Sequence, residues 1–437
     1  FSRIWKIAYP IVIGNIAQNL LSITDTAFIG RLDAVSLGAA ALGSVLYLSV
    51  MMLGFGFSVG IQVIVARRHA EGRSEAIGGV VHHSLLFLIP FALLLLVLLR
   101  YTGRDILSLL IQSPDVQEAT ASFVDVRMWG ILFGFVAYVF QAFLVGIART
   151  KVISYVTILM VAVNVVFDWL LIFGHGGFAA MGVSGAAAGS VIAELVAVGV
   201  YAVYIYREKS FGVYRIFGKI RYSMKDMLHL VKISVPASLQ NFLSLASWFI
   251  FFVMVEKISE DALAVSNIGR SLYMIFLLPL WGFSAAVNSL VSYSIGRRKP
   301  LLIYPVMTKV MALSTVATLI LALLTFLFSG FVTSIYTNIP ALAEATVGIM
   351  PSMCVSAVFF GLGFVCFNAV SGTGNTHITL AIEIIATCLY LVVTIMAVEV
   401  WNWGIAYVWL VDGIYGIFMM LAALAYLKTG KWKKRKV

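Results

Sequence analysis

Runs of about twenty apolar residues, separated by short polar stretches, recur along the whole chain, and about twenty is the length at which a helix crosses a hydrocarbon core. They fall near residues 7–28, 41–66, 78–100, 119–144, 152–173 and 183–206, and again near 233–256, 263–290, 302–328, 344–370, 377–399 and 404–427. The pattern predicts an all-α polytopic membrane protein with twelve transmembrane helices in two pseudo-symmetric lobes of six. The longest polar stretch, Arg207 to Lys232, divides the halves. The expected organisation is an N-lobe at 1–206, a cytoplasmic linker at 207–232, a C-lobe at 233–427 and a basic cytoplasmic tail at 428–437.

The halves repeat one another in register. At an offset of 226 residues, Pro10 pairs with Pro236, Asn15 with Asn241, Leu37 with Leu263, Tyr47 with Tyr273, and Gly56-Phe57-Ser58 with Gly282-Phe283-Ser284. Gly146 and Thr150 return as Gly372 and Thr376 at the same offset. An even number of spans per half makes the repeats parallel, related by an axis along the membrane normal. Duplicated helical bundles are a common build of secondary transporters, with the substrate site between the repeats, so transport is the first expectation. Glycines four residues apart, Gly56 and Gly60, and Gly185 and Gly189, read as devices for close helix packing in lipid.

Composition agrees with the pattern: 62% apolar residues, 11% charged residues and a mean hydropathy of +1.02 leave too little charge to cover a water-facing surface. The net charge of +11 is not a nucleic-acid signature, because its placement follows the membrane. With the amino terminus inside, Arg67, Arg68, Arg73, Arg149, Lys151, the linker, Arg297, Arg298, Lys299 and the tail are cytoplasmic. The opposite side holds Arg31, Arg100, Arg104 and Lys257. This asymmetry predicts that both termini lie in the cytoplasm, and the expected location is the plasma (inner) membrane. The tail from Lys431 to Lys436 reads as an anchor on lipid headgroups. Cys354, Cys366 and Cys388 lie inside predicted spans and read as small packing residues, with neither a disulfide framework nor a zinc site. The chain begins at Phe1 without methionine and has no cleavable signal pattern, which suggests that a few terminal residues were trimmed.

Ionisable groups inside hydrocarbon are costly and usually face a cavity or a partner. In the first half they are Asp25, Asp168 and Glu194; in the second, Glu383 and Asp412, with Glu256 and Glu399 near outer ends. Asp25 is an isolated carboxylate late in span one, and reaching the outer interface is its alternative reading. Asp168 lies four residues after Asn164, and Glu194 four after Ser190, spacings that stack each pair on one helical face. Together Asp25, Asn164, Asp168, Ser190 and Glu194 predict an oxygen-rich site for a proton or a sodium ion. The second half puts Phe251, Tyr390 and Thr394 where Asp25, Asn164 and Asp168 stand, so the ion chemistry is expected in the first lobe. Glu383 and Asp412 either form a second polar patch or hydrogen-bond to neighbouring helices. Arg127 and Arg270 either snorkel outward or pair with a carboxylate.

At these positions the chain resembles the multidrug and toxic compound extrusion (MATE) family, and within it the DinF-like branch. The resemblance covers almost the whole chain. It rests on the segment from Pro10 to Asp25 ending in Thr24-Asp25-Thr26-Ala27-Phe28-Ile29-Gly30, on Ala148-Arg149-Thr150-Lys151 and Gly372-Thr373-Gly374-Asn375-Thr376, and on Asn164 through Asp168. It implies two six-helix lobes around a central cleft, exporting amphipathic, often cationic compounds against an inward proton or sodium gradient by alternating access. It also implies a cation site at Asp25, Asn164 and Asp168, completed by a hydroxyl such as Ser190, and bending of the first helix near Pro10. Phe28, Phe251, Trp281 and Phe283 are candidates for a drug-binding surface through cation–π contacts, with lipid-facing or packing roles as the alternative.

Other classes fit less well. A flippase for lipid-linked saccharides or peptidoglycan precursors is the nearest alternative, but diphosphate cargo favours several inward cations and only Arg127 and Arg270 qualify. Gly56-Phe57-Ser58-Val59-Gly60 matches a nucleophile elbow in letters only, since that motif needs a strand turning into a helix. The stretch ending Gly218-Lys219-Ile220 lacks the glycine spacing and hydroxyl of a phosphate loop, so ATP is not expected as direct energy source. A passive channel remains the last alternative. The expectation is a monomeric, non-enzymatic transporter with no cofactor beyond its coupling ion, H+ or Na+, and with membrane lipids and small molecules as partners.

Overall fold

The computed structural model describes residues 2–434 except 112, 219–221 and 335–338. Lys219, Ile220 and Arg221 of the linker, and Arg435 and Lys436 of the tail, lie outside the described residues. The helices are α1 (Ser2–Ile29), α2 (Ala34–Ala70), α3 (Ser74–Leu110), α4 (Pro114–Arg127), α5 (Gly130–Gly146), α6 (Lys151–Phe173) and α7 (Val183–Arg207). A short 3-10 turn at Lys209–Tyr214 leads to α8 (Met224–Glu256), α9 (Glu260–Gly296), α10 (Ile303–Leu327), α11 (Ser329–Ser334), α12 (Pro340–Gly372), α13 (Thr376–Ile395), α14 (Ile405–Val408) and α15 (Val411–Lys428). Among the described residues, eleven helical stretches are long and apolar enough to cross a membrane, or twelve when the bent pair α4 and α5 counts as one span. That pair answers the run at 119–144. It is not one straight helix but turns by 46° between Arg127 and Gly130.

Exposed apolar side chains follow the helices at lipid-facing spacing. On α10 they are Val316, Leu319, Ile320, Leu323, Leu324 and Leu327. Such a stripe would be an aggregation surface in water and is the normal outer face of a helix in a bilayer.

The chain forms two compact units. One comprises Ile13–Ser234; the other combines Phe1–Val12 with Val235–Val437. These bounds differ from the expected lobes at their edges, because the first helix of each repeat divides its packing between units. Gly60 of α2 leaves room for Ser234 near the start of α8, and Gly282 of α9 leaves room for Ala8 and Val12 at the start of α1. Ser234 and Ala8 are 226 residues apart, so the exchange is itself part of the duplication. The linker consequently packs with the first unit, while the first twelve residues pack with the second.

Turn chemistry repeats as well. Asp33 caps α2 by accepting from the Ser36 N–H at 2.7 Å, and its counterpart Ser259 caps α9 by accepting from the Ala262 N–H at 3.0 Å. Positive φ occurs at Gly72 and Arg298, and at Ala148 and Gly374, each pair again offset by 226. The backbone shape of these turns outlived the identity of the residue.

In the second unit Trp409 fills the centre, 5.4 Å from Phe251 and 5.3 Å from Tyr273 between ring centroids, with its indole N–H donating to Ser266 Oγ at 3.2 Å. The stretch Gly56 to Gly60 lies within continuous α2, where Ser58 Oγ donates to the Phe55 carbonyl at 2.6 Å. A nucleophile elbow is therefore not formed there. In the tail, Trp432 is buried and its indole donates to the Leu427 carbonyl at 2.8 Å, which folds Lys431–Lys434 back onto the end of α15.

Candidate ion-coupling site

Asn164 and Asp168 lie one turn apart on α6 and are both fully buried. The Asn164 amide donates to Asp168 Oδ1 at 3.3 Å and to Ser190 Oγ of α7 at 3.3 Å. α7 can come this close because Gly189 stands directly against Asp168, where a Cβ would collide with the carboxylate, and Gly185 stands against the backbone of Leu171 and Ile172. The glycine pair picked out by its four-residue spacing thus brings α7 to the carboxylate.

The Asp25 carboxyl reaches the same point from α1. Its neighbours Thr24 and Thr26 spend their hydroxyls on carbonyls of their own helix, those of Leu20 and Ser22. Asp25 and Asp168 face one another within side-chain hydrogen-bonding reach. Three buried oxygens of this cluster have no donor: Asp25 Oδ1, Asn164 Oδ1 and Asp168 Oδ2. Ionised carboxylates and amide oxygens are acceptors only, so acceptors that face one another need a proton or a cation between them. The all-oxygen donor set fits a proton or a hard monovalent ion, and contains no imidazole or thiolate of the kind transition metals select.

Glu194, the fifth residue of the expected set, is committed elsewhere. Arg127 grips it with two hydrogen bonds of 2.7 and 3.0 Å, and the Tyr47 hydroxyl approaches its two oxygens at 2.9 and 3.1 Å. The Arg127 guanidinium lies 3.6 Å from the centroid of the Tyr47 ring, and only 13% of the Arg127 side chain and 15% of the Glu194 side chain are exposed. Gly130, just past the bend between α4 and α5, abuts this cluster; a side chain there would strike Arg127, Glu194 and Tyr47. Of its two readings, Arg127 therefore takes the pairing one. Arg270 is exposed and lies 5.5 Å from the Phe252 ring.

The four aromatic candidates divide. Phe251 and Phe283 are buried, at 0% and 1% exposure: Phe251 packs on Phe252, Tyr390 and Trp409, and Phe283 on Trp5. In this arrangement both fill the second unit's interior. Phe28 is half-buried against Phe173, and Trp281 is 36% exposed beside Phe364. Pro10 lies within unbroken α1, two residues before its packing passes from one unit to the other.

In the second unit Glu383 is buried and accepts from Ser244 at 2.5 Å and Tyr415 at 2.7 Å, while Asp412 is enclosed by Tyr390, Tyr273 and Trp248. Glu383 is held by hydroxyl donors of neighbouring helices, the second of the two readings left open for it, and Asp412 lies among aromatic side chains that carry polar groups. Sequence spacing gave no notice of Ser244 or Tyr415, which stand 139 and 32 positions from Glu383.

The MatE family model matches residues 10–170 and again 236–396, both bounds offset by the same 226 positions that relate the repeats. A probable multidrug resistance protein NorM of Thermotoga maritima is 24% identical over 99% of this chain and 93% of its own length. A MOP superfamily transporter from Pyrococcus furiosus superposes with a TM-score of 0.89 at 18% identity, over 99% of this chain and 96% of that one. An outward-facing multidrug resistance MATE family transporter superposes with a TM-score of 0.87 at 19% identity, over the same shares. These structures share the fold, and because the duplicated family match spans well over half of the chain, the chain belongs to the MatE family of multidrug and toxic compound extrusion transporters.

Proposed function

We propose that this protein is a secondary active exporter that moves amphipathic, often cationic compounds outward in exchange for inward movement of a proton or sodium ion. The loading site is formed by Asp25, Asn164 and Asp168, with Ser190 completing it. The observation that carries this reading is the meeting of the half-buried Asp25 carboxyl of α1 with the buried Asp168 carboxyl of α6, each with a buried oxygen that lacks a donor. Loaded with a proton, the pair loses charge; unloaded, it attracts a cation, so coupling ion and cationic cargo oppose one another's occupancy. α1 carries Asp25, and its residues belong to one packing unit up to Val12 and to the other from Ile13, so the carboxyl sits on a helix shared by both.

Both termini face the cytoplasm of the cell whose plasma (inner) membrane holds this exporter, and it works as a monomer without ATP. The flippase reading loses support, since Arg127 is already paired with Glu194 and is not free to hold a diphosphate. Asp25→Asn and Asp168→Asn each abolish gradient-driven efflux from everted vesicles while folding and insertion persist. Glu256→Gln, at the outer end of α8, retains it. Normal efflux by both aspartate variants would remove these residues from coupling. Proteoliposomes given a pH gradient and a sodium gradient separately, with a fluorescent cation as cargo, decide the ion.

A further inference from the structure

Three of the chain's six histidines meet the linker that joins the repeats. His82 Nε2 contacts the Ile216 carbonyl at 2.5 Å, His69 Nδ1 lies 3.2 Å from the Tyr214 hydroxyl, and His83 Nε2 lies 2.9 Å from the Ser223 backbone N–H. All three histidines sit on the end of α2 and the start of α3, and all the linker atoms belong to the same packing unit. Phe143 adds edge contacts to Phe211 and Tyr214.

Of the three, His83 has partners that dictate its protonation state. Its Nδ1 lies 2.6 Å from the Gly79 carbonyl, an acceptor, so Nδ1 carries hydrogen and donates. Its Nε2 faces the Ser223 N–H, a donor, so Nε2 must be bare and accept. Only the neutral ring satisfies both. A proton on Nε2 sets two N–H groups against each other and removes the Ser223 bond. His82 behaves oppositely: its Nε2 donates to a carbonyl, and a charged ring donates at least as well.

Ser223 is the residue at which the linker becomes a helix. Its Oγ accepts from the Asp226 N–H at 3.3 Å, capping α8, and Tyr222 stacks on the His83 ring with centroids 5.7 Å apart. The groups facing His83 from its packed neighbours are Arg68 of α2 and Asp226 and His229 of α8, which share a small cavity with it. Arg68 and Asp226 are 3.6 Å apart, and Arg68 is bordered by Glu71 and Arg73. The cation and the carboxylate beside His83 are paired with each other, and hydrogen-bond complementarity is the deciding feature.

We propose that His83 is a pH-sensitive clasp: neutral, it fastens the linker and the first turn of α8 to the first unit; protonated, it lets them go. The clasp lies on the face that carries the basic loops, so it reads cytoplasmic acidity. It does not depend on the coupling site proposed above.

The test is amide hydrogen exchange of the full-length protein in lipid nanodiscs, at about pH 7.5 and about pH 5.5, the range over which histidine changes charge. Expressed as a protection factor, the Ser223 amide should lose about five- to tenfold on acidification, the worth of one net hydrogen bond. His83→Gln should remove the pH response, and His83→Arg should show low protection at both values. His82→Gln and His229→Gln should leave the response in place. Equal Ser223 protection in the wild-type protein at both pH values would overturn the proposal without recourse to any variant. So would a response that survives His83→Gln or vanishes with His82→Gln or His229→Gln. Loss of efflux in Asp25→Asn with the clasp response intact separates this proposal from the coupling mechanism.

Discussion

Glu194→Ala leaves the Arg127 guanidinium and the Tyr47 hydroxyl in a nearly closed interior with their shared acceptor gone. Removing one partner of a buried ion pair costs about 3–5 kcal/mol. The pair retains 13% and 15% exposure, so a figure near the low end, about 3 kcal/mol, is appropriate. For a unit the size of Ile13–Ser234 each kcal/mol moves Tm by about 2–4 °C, so the variant should melt about 6–12 °C early. Arg127→Ala should lose a similar amount. Because the two side chains touch, their effects should not add, and the joint replacement Arg127→Met with Glu194→Leu should be more stable than either alanine variant, as apolar substitutes for buried pairs commonly are. The assay is thermal unfolding in detergent, followed by the monodisperse fraction after heating. A loss under about 2 °C in both single variants, below what 1 kcal/mol would give, would refute the reasoning, because the pair would then be solvated or broken in solution. A double replacement less stable than both single variants would refute it too, by showing that charge itself is needed there.

Two further outcomes are expected. Gly189→Ala places a methyl group on the Asp168 carboxylate; it should cost about 1–3 kcal/mol of stability and reduce coupled efflux per folded molecule at least about tenfold, as for a displaced reacting group. Wild-type efflux in everted vesicles would show that α7 does not fix Asp168. The Asp33 cap is held below the ordinary carboxylate range, first by the Ser36 N–H and then by the Ser36 hydroxyl. Its contribution is complete above the unfolded value of about 3.9 and is lost as pH falls through the lower folded value. Exchange at the Ser36 amide should therefore rise only in strong acid, and protection that fades already near neutrality would contradict the cap.

Pattern along the chain is enough to set the elements and their duplication. A helix in hydrocarbon must satisfy its own backbone, so runs of apolar residues mark spans whatever surrounds them, and the 226-residue register of Pro10, Tyr47, Gly56 and Thr150 survives in caps, turns and family match alike. It also marked Asp25, Asn164 and Asp168, because a charge in an apolar run stands out and a spacing of four puts two side chains on one face. Which way each side chain points, and what it meets, is set by the packing of the helices. In water a helix advertises its buried face by contrast with a polar one; in lipid the inner and outer faces are both apolar, and the contrast is missing. Hence Phe251 and Phe283 could not be told from surface aromatics, and the partners Arg127 and Glu194, 67 positions apart, could not be matched by spacing. The bend after Arg127, the packing exchange at Ser234 and Ala8, and the grip of His83 on Ser223 likewise arise from contacts between distant segments, which local pattern does not encode.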